Sequence, residues 1–306
     1  MKRILTIAIL LVTVLANAGA EEKSLKYNYG DIVSITQGSS YLISYEFHIT
    51  KGRSKTVEIV YDSKLEEEIK GFRLDVDYNA HDKGLSVAMA APSRKLIRSK
   101  FPFNSKPVKI YLEMDEITSL DLGGASTVFF DGTFSSSDLN IVLSGAASFS
   151  TPLKIDGRSL SVGCSGASEV AIHGDFDEVS IVASGASCVD YRGNSKDIKG
   201  GFSGASNLYL QGDNRRGEIV CSGASNMEMK GRGESIRLRA SGACKVDAKD
   251  YTVKNAVVEL TGASVAKIAV TDELRHNVST ASKLTYYGTP KMINISEIKN
   301  VVQGGM

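Results

Sequence analysis

The sequence predicts an all-β fold, a single-stranded parallel β-helix (solenoid) of short coils of about 19 residues, on three observations. The first is a tetrapeptide that returns nine times: Gly123-Gly-Ala-Ser126, Ser144-Gly-Ala-Ala147, Ser165-Gly-Ala-Ser168, Ser184-Gly-Ala-Ser187, Ser203-Gly-Ala-Ser206, Ser222-Gly-Ala-Ser225, Ser241-Gly-Ala-Cys244, Thr261-Gly-Ala-Ser264 and a degenerate Ser279-Thr-Ala-Ser282. From the second residue of one copy to that of the next, the steps are 21, 21, 19, 19, 19, 19, 20 and 18 residues. The second is an apolar residue two positions before each origin: Leu122, Leu143, Cys164, Ala183, Phe202, Cys221, Ala240, Leu260 and Val278. Further apolar residues four and six positions before it give the every-second-residue pattern of a strand with one buried face. The third is a matching alternation after the motif, as in Val170/Ile172, Val189/Tyr191, Leu208/Leu210 and Met227/Met229, closed by a glycine two positions on.

Each unit therefore reads strand, small-residue corner, strand, glycine corner and a short return. A hairpin stack would reverse the chain within each unit, whereas a winding coil repeats the same apolar register at every lap. Coils stack at about 4.8 Å. Gly124, Gly145, Gly166, Gly185, Gly204, Gly223, Gly242 and Gly262 are the predicted structural corners, because glycine accepts backbone angles that a Cβ forbids. The flanking serines are read as corner packing with stacked hydroxyls rather than as a ligand-facing array.

Taken in order, residues 1–20 form a signal peptide: Lys2 and Arg3, an apolar run Ile4–Leu15, and small residues at Ala18–Ala20. No cysteine stands near the cleavage point to take a lipid, and no second hydrophobic span follows. Export then leaves 34 basic against 35 acidic residues, a balance that argues against nucleic acid as a partner. Residues 21–118 lack the motif but carry strand-like alternation at Thr56–Tyr61, Phe72–Val76, Leu85–Val87 and Lys109–Glu113. They are expected to supply the first coils and a β-rich N-terminal cap over the open end, since exposed terminal edges invite association. Ser63-Lys-Leu-Glu66 reads as a capping box, followed by a short helical face of Leu65, Ile69 and Phe72. The segment Pro92–Pro107 holds Arg94, Lys95, Arg98, Lys100 and Lys106 with no acid, plus Phe101 and Phe103, and is the candidate anion- or ligand-binding loop. Its alternative is a solvated surface excursion. Residues 119–290 are the repeat region; its apolar slots fail at His276, and 291–306 form a tail.

The four cysteines test this arrangement. Cys164 and Cys221, like Cys188 and Cys244, lie three coils apart, about 14 Å, beyond the reach of a disulfide; they are read as core fillers. His48, His81, His173 and His276 show no metal-ligand spacing, and no cofactor motif is present. Asp156, Asp175, Asp177, Glu178, Asp197, Asp213 and Asp250 cluster at corners without a repeating acid/base pair and are read as solvated turn residues.

The repeated Ser-Gly-Ala-Ser, with Pro107-Val-Lys-Ile-Tyr-Leu112, Thr56-Val-Glu-Ile-Val60, Lys64-Leu-Glu-Glu-Glu68 and Tyr286-Tyr-Gly-Thr-Pro290, together resemble the GIN-domain family of exported bacterial proteins, described as auto-transporter adhesin head domains. The resemblance runs from about Val33 to Pro290. It implies a right-handed β-helix and a surface or envelope location, and it carries over no catalytic residue. The end, Val301-Val-Gln-Gly-Gly-Met306, has no run of amphipathic strands for an outer-membrane barrel, so self-export is not expected. The expectation is an exported, non-enzymatic, adhesin-like or surface-binding module of the periplasm, outer-membrane surface or extracellular space. Its expected partner is a glycan or another envelope component. Envelope self-assembly and a polysaccharide lyase or hydrolase on a β-helical scaffold are the alternatives.

Overall fold

A computed structural model describes residues 11–17, 20–38, 43–69, 72–89, 106–134, 136–294 and 300–305. Among the described residues the elements are strands apart from one short helix, and they form a β-solenoid of about nine turns with coils near 19 residues. The chain divides into two compact units, one of residues 1–135 and 141–153, the other of residues 136–140 and 154–306.

In the first unit, β1 (Leu11–Asn17) falls in the segment read as the export signal and pairs antiparallel with β2 (Ala20–Asn28). Then come β3 (Ser34–Gln37), β4 (Ser44–Lys51), β5 (Thr56–Asp62), the helix α1 (Lys64–Glu68), β6 (Leu74–Asn79), β7 (Gly84–Met89), β8 (Val108–Met114), β9 (Ser119–Leu122) and β10 (Ala125–Asp131). The strands β3 and β7, β3 and β9, β4 and β8, and β4 and β10 are all parallel. The lap made by β3 and β4 thus lies between the lap of β7 and β8 and the lap of β9 and β10, so stacking order departs from chain order. On the far side β5 runs antiparallel to β8, β6 to β7 and β2 to β5. Antiparallel strands laid against the first parallel lap are the expected cap: they occupy edge hydrogen bonds that a further coil would otherwise template.

The capping box does not form. Ser63 sits in helical geometry at φ −57° and makes no side-chain cap bond. Glu66 turns instead to the Lys23 ammonium (2.5 Å) and accepts from the Tyr61 hydroxyl (2.7 Å). A five-residue helix between two cap strands is held by tertiary partners that outbid the local motif. Leu65 and Ile69 are buried as expected, and Phe72 tilts against Tyr61 at 5.3 Å.

The strand β11 (Asp138–Leu143) is divided between the units, and β12 (Ser148–Ser150) completes the first, pairing parallel with β10. The second unit continues with β13 (Gly157–Cys164), β14 (Glu169–His173), β15 (Phe176–Ala183), β16 (Cys188–Arg192), β17 (Ser195–Phe202), β18 (Asn207–Gln211) and β19 (Asn214–Cys221). Longer strands follow, β20 (Asn226–Ala240), β21 (Lys245–Leu260) and β22 (Val265–Val278), and the coils close with β23 (Lys283–Tyr287), β24 (Lys291–Asn294) and β25 (Val301–Gln303). Strands before the motif stack on one another in parallel, as do those after it; Val179 pairs with Ile198, and Val189 with Leu208.

The nine predicted slots, Leu122 to Val278, are all buried, with exposures of 0–7%. Each full burial of a Val, Leu or Ile contributes roughly 1.5–3 kcal/mol, and every lap repeats it. The eight motif glycines have φ between 64° and 74°. At Gly185 a Cβ would lie 2.5 Å from the Gly166 carbonyl oxygen, so both backbone angle and close stacking demand glycine. The last serine of each full motif points inward and is buried; the hydroxyls of Ser126, Ser168, Ser187, Ser225 and Ser264 donate to the carbonyl of the first motif residue, as in Ser187 to Ser184 (2.8 Å) and Ser264 to Thr261 (2.8 Å), and the Ser206 hydroxyl meets that of Ser225 (3.2 Å). This is the corner packing expected of these columns. The four cysteines are free thiols, with Cys164, Cys221 and Cys244 buried. His276 does not end the inward column as expected but occupies it, 1% exposed.

Candidate binding surface

The second corner of each lap consumes much of the acidic inventory. Asp156 accepts the Asp175 amide (2.7 Å), Asp175 the Asn194 amide (2.7 Å), and the Asn194 side chain the Asp213 amide (2.9 Å). Lys154 bridges Asp156 and Asp175 at 3.1 and 2.7 Å. Hydrogen bonding from the Asn194 amide, then from Lys154, holds the Asp175 carboxyl below the usual carboxylate range. Asp177 pairs with Lys196 (2.9 Å) and Asp250 with Lys249 (2.7 Å). These carboxylates are structural ladder rungs and surface pairs rather than merely solvated turns. Among the described residues, no group of three or more His, Cys, Asp or Glu side chains is placed to hold a metal ion.

Of the basic-loop residues, Arg94, Lys95, Arg98 and Lys100 lie outside the described residues. Lys106 is described: it is exposed, with its ammonium 3.9 Å from the Glu22 carboxylate.

Among the described residues, two depressions stand out on the outer surface of the second unit. The larger, about 770 Å³, crosses the strands that precede the motif. Its outward side chains form two columns, Ser159–Glu178–Asp197–Arg216–Ser235 and Ser161–Ser180–Lys199–Glu218–Arg237. These charges largely neutralise one another. Arg216 grips Asp197 with two bonds of 2.5 and 2.8 Å and holds that carboxyl below its ordinary range.

The smaller depression, about 400 Å³, crosses the strands that follow the motif. One column is Asn207–Asn226–Lys245–Val265; the next, two residues along each strand, is Tyr209–Glu228–Asp247–Lys267. Strand geometry makes this grid about 7 Å by about 14 Å. Leu208, Met227 and Val246 point inward between the columns and fix the outward direction of both. Tyr209 is 47% exposed and forms a wall. The Asn226 amide donates to the Asn207 carbonyl oxygen (3.3 Å), which holds both amides across two laps. Lys267 pairs with Asp247 at 3.1 Å. An aromatic face beside fixed amides, carboxylates and ammonium groups offers apolar contact together with donors and acceptors. Sequence reasoning passed over Tyr209; the signal available was an aromatic residue in an outward slot, between Leu208 and Leu210, where neighbouring laps carry Asp190 and Glu228.

Among the described residues no helix is long and apolar enough to cross a membrane. No curated protein matches the chain. Among solved structures it is similar to a "putative adhesin" from Parabacteroides distasonis ATCC 8503, at 15% identity over 94% of this chain and 98% of that one, with a TM-score of 0.53. It is also similar to a "putative adhesin" from Parabacteroides merdae ATCC 43184, at 13% identity over 95% of this chain and 99% of that one, with a TM-score of 0.50. At such identities these likenesses speak for the shared fold. The family model described as "Putative auto-transporter adhesin, head GIN domain" matches residues 43–199 and 189–290, and the chain belongs to that family.

Proposed function

We propose that the protein is an exported, adhesin-like surface module that binds saccharide without turning it over, through the grid walled by Tyr209. The observation that carries this reading is the grid itself: one exposed aromatic face beside amides, carboxylates and lysines held at lap spacing. A sugar ring is amphipathic in the same way, with polarised C–H bonds on its faces and hydroxyls at its rim, and the negative face of an aromatic ring attracts the former. A volume of about 400 Å³ falls within the ordinary range of ligand sites. Family membership supports a surface role. The occupied state of the corner carboxylates supports binding over catalysis, since Asp156, Asp175, Asp177, Asp197 and Asp250 each face a lysine or arginine.

The test is a glycan array with residues 21–306, followed by calorimetric titration of the hits with wild type, Tyr209→Ala and Asn226→Ala. Loss of about tenfold or more in affinity for both variants, with unchanged melting, is the expected result. Binding that both variants leave untouched overturns the site, and release of reducing ends from a hit overturns the non-enzymatic reading.

A further inference from the structure

A second aromatic surface lies in the first unit, where the strand order β8, β4, β10 brings Tyr111, His48 and Phe129 into one outward column. The Tyr111 and His48 rings stack at 4.7 Å and 19°, and those of His48 and Phe129 at 5.0 Å and 18°. Rings stacked along the lap direction cover one another's faces, so only the two end faces remain for a ligand. The Tyr111 end meets Glu58, which is engaged by Lys26 (3.4 Å) and by the Ser24 hydroxyl (2.6 Å). At the other end the next residue in the column is Ser150, too short to cover a ring, and Phe129 is 46% exposed.

We infer that the open face of Phe129, with Ser150 as its floor, is a binding subsite for one pyranose unit of a neutral oligosaccharide. His48 and Tyr111 position the Phe129 ring by stacking behind it. The surroundings favour a sugar over a protein partner. Two residues along the strands from Phe129 and Ser150 stand Thr127, Asp131 and Ser148, so polar groups flank the ring along β10 and on the amino side of Ser150. A protein interface needs a larger dry centre. A sugar ring needs one aromatic face and a hydroxyl-matching rim. Of these three flanking residues Asp131 is the one carboxylate and none is a cation, which disfavours an acidic sugar there.

The experiment is saturation-transfer NMR and titration with cellotetraose, maltotetraose and mannotetraose against residues 21–306. The variants are Phe129→Ala, Phe129→Tyr, Ser150→Tyr and, as a control on the other surface, Tyr209→Ala. The expected result is transfer from the protein to the ring C–H protons of at least one tetraose, in wild type and in Tyr209→Ala. Phe129→Ala weakens it by about tenfold or more and Phe129→Tyr keeps it. Ser150→Tyr, which extends the stack over the open face, abolishes it without lowering the melting temperature. Binding that vanishes with Tyr209→Ala and ignores both Phe129→Ala and Ser150→Tyr overturns this subsite while leaving the grid intact. An absence of transfer to all three sugars overturns it outright.

Discussion

Glycine at two neighbouring positions shows how differently one residue type can act. Gly204 sits at φ +74°, and a Cβ there would meet the Gly185 carbonyl oxygen at 2.7 Å. Gly201, in β17, would direct a Cβ into open space. Gly204→Ala is therefore expected to cost about 2–3 kcal/mol, since it adds left-handed strain to a backbone clash. Gly201→Ala is expected to stay within about 0.5 kcal/mol of wild type. Denaturant midpoints for the two variants check this, and equal midpoints would remove the corner argument. His276 makes a prediction in pH. It is buried in the inward column of β22, neither ring nitrogen has a hydrogen-bond partner, and burial lowers its pKa from the ordinary 6.5. Below pH 6.5 the unfolded chain takes up a proton that the folded chain resists, so stability held at neutral pH is lost as the pH falls. Melting temperatures from pH 8 to pH 5 are expected to decline for wild type and to decline less for His276→Leu, which fits the apolar column. Parallel curves would show that this histidine is not the source.

Along each strand and corner, the repeated element substitutes for what isolated turns would need. The Asp156–Asp175–Asn194–Asp213 ladder supplies each lap with a side-chain acceptor for a backbone amide of the next. Asp and Asn serve equally as acceptors, so the charge belongs to the Lys154 pair and the acceptor to the ladder. Asp175→Asn is accordingly expected to be nearly neutral, because the Lys154 pair is half exposed. Asp175→Ala strands the Asn194 amide and is expected to lose about 1 kcal/mol or more. Urea unfolding of the two variants separates the contributions, and equal losses would assign the ladder to charge alone. The same logic explains why Cys244 is tolerated in a serine slot: its thiol donates to the Ser241 carbonyl at 3.1 Å, as the serines do. These elements were legible in the sequence because period, apolar alternation and glycine placement are local signals repeated at every lap. The capping box at Ser63 misled because its glutamate found distant partners in Lys23 and Tyr61, which no local pattern records.

At the level of the molecule, the insertion of β4 between β8 and β10 was not legible. Chain order and stacking order differ there, and nothing in the spacing of Tyr111, His48 and Phe129 announces that they form one column. The cysteines show the same limit: their spacing sets like slots three laps apart, whereas the structure brings Cys221 against Cys244 of the following lap. All four thiols are nonetheless free, and they can report how the second unit opens. A stack of laps is held mainly by nearest neighbours, so its ends open at lower free energy than its middle. The final laps are the weak end: the motif decays to Ser279-Thr-Ala-Ser282, β23, β24 and β25 have only 5, 4 and 3 residues, and His276 is unpartnered inside. Burial raises the Cys164 thiol to about 11 and pushes Cys221 up as well, so native labelling at pH 8 requires opening. Pulse labelling in denaturant below the main transition, read by mass spectrometry, is expected to modify half-exposed Cys188 first. Of the buried three, Cys244 should follow, then Cys221, and Cys164 last, because opening proceeds from the carboxyl end toward the earlier laps. Replacing His276 by Leu should slow Cys244 and leave Cys164 unchanged. A single common rate for the three buried thiols would instead mean that the laps open together, and that the terminal decay of the motif carries no local cost.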